Sequence, residues 1–140
     1  MRPRHVLRHA GGGLLVLVAA VFIWAGTAKA LDPGRFAESL DAWGIIPWLG
    51  VVAVALYLPW LELVAGVALL LPRWRGSAAL VIGVLLGIFA LVLAFGLWRG
   101  MAVDCGCFGA DGTGLAWPLG RDLALLAALL GGLRATREDA

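Results

Sequence analysis

The 140-residue chain is 62% hydrophobic and 14% charged, where an ordinary soluble domain carries about a quarter charged residues. With a mean hydropathy of +0.96, that excess of apolar surface excludes a freely soluble globule of this size and makes the lipid bilayer the natural solvent. The formal net charge of +2 is too small to argue for a nucleic-acid partner.

Charges are clustered. Residues 9–28, 42–61 and 76–98 contain no Asp, Glu, Lys or Arg, and at about 1.5 Å per helical residue each stretch can cross a hydrocarbon core about 30 Å thick. The first predicted span covers 13–30 and follows a basic segment with Arg2, Arg4 and Arg8. His5 and His9 in that segment read as surface residues, with no acid or cysteine near them in sequence. Ala28-Lys29-Ala30 also gives residues 1–30 the outline of a signal peptide; cleavage there would leave three spans and the same side for the later loops. The first loop mixes Lys29 and Arg35 with Asp32, Glu38 and Asp41.

The second predicted span covers 47–71 and is interrupted by one acid, Glu62. A turn with Arg73 and Arg75 leads to the third span, 77–98, where Gly83 and Gly87 stand at the spacing that permits close helix packing. The loop 99–114 follows. The fourth span, 115–133, carries Arg121 and Asp122 in its first half and ends at Arg134 and Arg137. There is no internal repeat, no low-complexity tract and no room for a soluble domain.

Lys and Arg are retained on the cytoplasmic side. The basic N-terminal segment, the 73–75 turn and the basic tail lie on one side of a four-span chain. The expected fold is therefore all-α: a single integral membrane four-helix bundle in the bacterial inner membrane, both termini cytoplasmic, with loop 99–114 facing the periplasm or exterior. Trp43, Trp48, Trp98 and Trp117 fall at the outer boundary and Trp74 at the inner one, the half-wet zone that indole prefers. Trp24 and Trp60 fall within spans and are expected to pack between helices.

The strongest local chemistry is Asp104-Cys105-Gly106-Cys107-Phe108-Gly109, which holds the two cysteines of the chain. A disulfide between them needs Cα atoms within about 4.4–6.8 Å, and Gly106 permits the sharp backbone this demands. So tight a ring is expected to be strained, and strained, exposed disulfides are the labile ones. An extracytoplasmic side allows them to form. Three readings of the pair stay open: a redox-active couple, a static staple, and a soft-metal ligand pair of the Cu(I) type that would need a partner's ligands. No metal site is assigned within the chain. No cofactor is assigned either, although one cysteine pair needs something to reset it, for which a quinone or another protein is a candidate.

Ionisable groups within spans face the bundle interior, pair up and mark function. Glu62 stands eleven residues from Arg73 and Arg121 thirteen from Arg134, about 16 and 20 Å above the inner boundary at helical rise. Their similar depth predicts a Glu62–Arg121 ion pair. Lys29 and Asp122, near the outer ends of spans one and four, are expected to complete a polar cluster beneath the cysteine loop. A cation there would favour thiolate. The plainer alternative is that these charges only bind the bundle together and that Lys29 snorkels to the headgroups.

Phe22-Ile-Trp-Ala-Gly-Thr-Ala-Lys29, Pro47, Pro59-Trp60-Leu61-Glu62-Leu63, Arg99-Gly100, Cys105-Gly-Cys-Phe-Gly109 and Arg121 occur in an order that resembles the MauE branch of the DoxX-like membrane proteins, a redox-associated group named after methylamine utilisation. The resemblance covers nearly the whole chain, and the Cys-Gly-Cys-Phe-Gly run is its most specific element. It implies a four-helix membrane bundle working beside a periplasmic thioredoxin-like protein in maturing a disulfide-bearing client, of the methylamine dehydrogenase small-subunit type.

The expected function is thus a membrane thiol–disulfide relay, with Cys105 and Cys107 as the reacting pair and Lys29, Glu62, Arg121 and Asp122 in support. Two other classes compete with this oxidoreductase reading: a non-catalytic scaffold for a maturation factor, and a small transporter or metal-handling subunit. Its expected partners are the bilayer, the thioredoxin-like protein and the client.

Overall fold

In the computed structural model, residues 2–100 and 116–137 are described. They form five helices: α1 (Arg2–Leu31), α2 (Pro33–Asp41), α3 (Trp48–Leu70), α4 (Arg75–Trp98) and α5 (Ala116–Arg137). Four of them, α1 and α3–α5, are long and apolar enough to cross a membrane. Among the described residues there is no strand.

Each long helix buries a stripe spaced by three and four residues, the period of one helix face. On α1 it includes Leu15, Val18, Ala19, Phe22, Ala25 and Lys29; on α3, Val51, Ala55, Pro59, Glu62, Gly66 and Leu69. On α5 it is Pro118, Asp122, Leu125, Leu129 and Gly132. These stripes meet in a core of Leu15, Val18, Phe22, Leu69, Ile82, Leu86 and Leu129 with neighbouring alanines. Helix α1 packs on α3 and α5, and α4 closes the ring by packing on the same two.

Small residues bring the backbones together, as expected where lipid offers no hydrophobic drive for association. A Cβ on Gly66 of α3 would lie 2.8 Å from Ile23 and 3.1 Å from the Ala19 carbonyl oxygen of α1. One on Gly26 would meet the Pro59 carbonyl oxygen at 2.8 Å, and one on Gly132 would meet the Gly11 carbonyl oxygen at 3.0 Å. These contacts replace the sequence expectation for Gly83 and Gly87. A Cβ on Gly83 would touch only a Leu129 methyl at 3.9 Å, and one on Gly87 would touch nothing within 4 Å. The spacing alone does not say which face a glycine lies on, and Gly87 lies off the packed face.

Helix α2 was not foreseen. Asp32 caps it by accepting a hydrogen bond from the Arg35 amide at 3.1 Å, and Pro33 occupies the first turn, where a missing N–H costs nothing. Its apolar side, Phe36 and Ala37, packs on Val51 and Ala55 in the first two turns of α3. Gly44 then takes φ +61° in the connection to α3, and Gly100 takes φ +67° to end α4, a conformation that favours glycine.

Two further expectations shift. Helix α1 runs on from the basic segment to Leu31, so Lys29 belongs to a spanning helix and not to the first loop. Trp24 and Trp60, expected between helices, are each 63% exposed on the outside of the bundle, because both lie off the buried stripes. His5 and His9 are exposed, as expected.

Candidate functional site

Three charged or polar side chains are buried among the described residues, and all three are charged: Lys29 at 3% exposure, Glu62 at 2% and Asp122 at 3%. Each falls on the buried stripe of its helix. Helical side chains lean toward their own N-terminus. Helices α1 and α3 pack antiparallel, with residues 19–23 beside Gly66 and Gly26 beside Pro59 and Leu63. Lys29 and Glu62 therefore lean toward one another, and the ammonium donates to Oε1 at 2.9 Å and Oε2 at 2.8 Å. The rings of Phe36 and Phe89 lie 5.4 and 5.7 Å from Lys29 Nζ, so two aromatic faces add to the carboxylate in stabilising the cation.

On α5 the neighbours divide the work. Asp122 points into the bundle, while Arg121 beside it is partly exposed and reaches back, donating from Nε and Nη2 to Asp122 Oδ1 at 3.2 and 2.9 Å. Lys29, Glu62, Arg121 and Asp122 line one cavity together with Phe22, Ala25 and Phe89.

The four charged residues singled out in the sequence thus come together, but in a different pairing. The expected Glu62–Arg121 ion pair gives way to Lys29–Glu62 and Arg121–Asp122. Depth counted from the inner ends matched Glu62 with Arg121; facing decided otherwise, because Lys29 lies on the stripe that α1 turns to α3. Nor does Lys29 snorkel outward: it is buried on Glu62. The roles of Phe36 and Phe89 were missed, although a signal for Lys29 itself was present. Leu15, Phe22 and Lys29 recur seven residues apart, which puts the lysine on the apolar face.

Cys105 and Cys107 lie outside the described residues, in the segment that joins α4 to α5. Among the described residues there is no grouping of three or more His, Cys, Asp or Glu able to hold a metal. The cluster is chemically a buried, charge-balanced polar centre: two cations and two carboxylates contributed by α1, α3 and α5.

Comparison with known proteins adds a family. The profile of the methylamine utilisation protein MauE matches residues 7–135. The chain is 34% identical over 93 residues to the methylamine utilization protein MauE of Methylophilus methylotrophus, covering 66% of this chain and 49% of that protein. It is 32% identical over 96 residues to its counterpart from Paracoccus denitrificans, covering 68% and 52%, and 32% identical over 92 residues to that of Paracoccus versutus, covering 65% and 50%. The chain spans about half the length of these curated relatives. No solved structure matches.

Proposed function

From the premise that the chain belongs to the MauE family, we propose that it serves methylamine utilisation as a multi-pass inner-membrane protein that supports disulfide formation in a client outside the cytoplasm. The observation that carries this reading is the cysteine pair. Cys105 and Cys107 are the two cysteines of the chain, one glycine apart, between two membrane-spanning helices. The pair works by exchange with a thioredoxin-like partner. A partner thiolate attacks one sulfur of the Cys105–Cys107 disulfide, a mixed disulfide forms and the other sulfur leaves as a thiolate. The second partner thiolate then resolves the mixed disulfide, so two electrons pass to this chain, and the reverse sequence returns them. Re-oxidation falls to a quinone or a second disulfide protein. The Lys29–Glu62 pair joins α1 to α3, and the Arg121–Asp122 pair lies within α5 facing the same cavity, in the first turns after the cysteine segment.

Thiol trapping in intact cells tests this. A membrane-impermeant alkylating reagent should label Cys105 and Cys107 only after reductant. Each single Cys→Ser variant should accumulate a mixed disulfide and lose growth on methylamine. Thiols never labelled from outside would remove both the orientation and the relay. Labelling indifferent to reductant, with no mixed disulfide captured, would remove the relay and leave a scaffold.

A further inference from the structure

The hydrogen bonds of the charged cluster do not close on themselves. The Lys29 ammonium carries three hydrogens. Glu62 takes two, and the third has no oxygen acceptor among the described residues, since its other near neighbours are the Phe36 and Phe89 rings. On the other side of the cluster, Asp122 Oδ1 receives both bonds from Arg121, while Oδ2 is buried with no hydrogen-bond partner. A buried acceptor left unmet is costly, and more so when it is charged. Both unmet groups belong to residues that line the same cavity, whose volume is about 20 Å³. A cavity holds a water when it offers at least about 10–15 Å³ and two to four polar partners.

We propose that this cavity is a binding site for a single water molecule, which accepts the third Lys29 hydrogen and donates to Asp122 Oδ2. It joins the two ion pairs into one chain, Glu62–Lys29–water–Asp122–Arg121, running from α3 through α1 to α5. A fully satisfied network of this kind is strengthened by the low dielectric around it. The bridge is made by these side chains alone and is independent of the cysteines.

Radiolytic hydroxyl footprinting of the whole protein in lipid nanodiscs tests it, because radicals formed from a bound water oxidise the side chains around it. Leu86 and Leu15 make a matched pair, each 2% exposed, and of the two only Leu86 lines this cavity. Leu86 is expected to be oxidised several-fold faster than Leu15. In Ala25→Val, whose added methyl groups enter the cavity, the Leu86 rate should fall to that of Leu15. Equal rates in the wild-type protein would overturn the proposal, and so would a Leu86 rate undiminished in a folded Ala25→Val variant. Should that variant not fold, the wild-type comparison decides.

Discussion

Lys29, Glu62 and Asp122 are charged side chains where lipid-facing charge would be expensive, and their burial among helices explains how the fold carries them. Taking two charges out of water costs several kcal/mol per ion; good geometry and complete hydrogen bonding repay it, while removal of one partner leaves the other stranded. Lys29→Met or Glu62→Leu is therefore expected to destabilise the protein by about 3–5 kcal/mol, read from denaturant or thermal unfolding in detergent. The double variant Lys29→Met/Glu62→Leu should be much less harmful than the sum of its single changes, since it leaves no unpaired charge. Additive losses would show that the two side chains do not act as a pair. Arg121 was legible in the sequence as an intramembrane charge, but its partner was not. Counting residues along helices gives depth, whereas pairing depends on which way each face turns, and helix rotation is set by packing.

At the scale of elements, four apolar stretches were legible as candidate spans because their length and apolar composition are local properties. Helices α3, α4 and α5 run over Trp48–Leu70, Arg75–Trp98 and Ala116–Arg137, and α1 begins at Arg2, well before the apolar stretch. Helix α2 was not legible. It is nine residues long and polar on one side, and it is held by Phe36 and Ala37 on α3, a tertiary contact. Glycine roles divide in the same way. Gly66→Ala drives a methyl against Ile23 and the α1 backbone and should cost about 1–3 kcal/mol. Gly87→Ala meets open space and should be neutral or stabilising by up to about 1 kcal/mol. Thermal unfolding of the two variants side by side distinguishes packing glycines from spectators.

For the whole molecule, the bundle is a ring in which consecutive spanning helices are neighbours and α1 is integral. Its packing on α3 and α5 and its lysine on Glu62 mean that removing residues 1–30 would strip the core of one wall and leave Glu62 without its cation. The distribution of arginines argues for cytoplasmic termini. Fusions of a phosphatase that matures only outside the cytoplasm should be active when joined after Gly100 and inactive after Arg75 or Arg137. The opposite pattern would invert the topology and remove the cysteines from the oxidising side.

Sequence alone was enough to read the lipid solvent, four apolar helices, the family resemblance and the four charged residues that the bundle brings to one cavity. Those follow from local composition: an apolar stretch of about twenty residues is long enough to span, and a charge within it is driven toward the bundle interior. Tertiary structure alone decided that Lys29 and not Arg121 holds Glu62, that Phe36 and Phe89 flank the ammonium, and that Asp122 turns inward with one oxygen unmet. Each of these depends on how antiparallel helices are rotated and how closely glycine lets their backbones approach, which is a property of the assembled bundle and of no single segment.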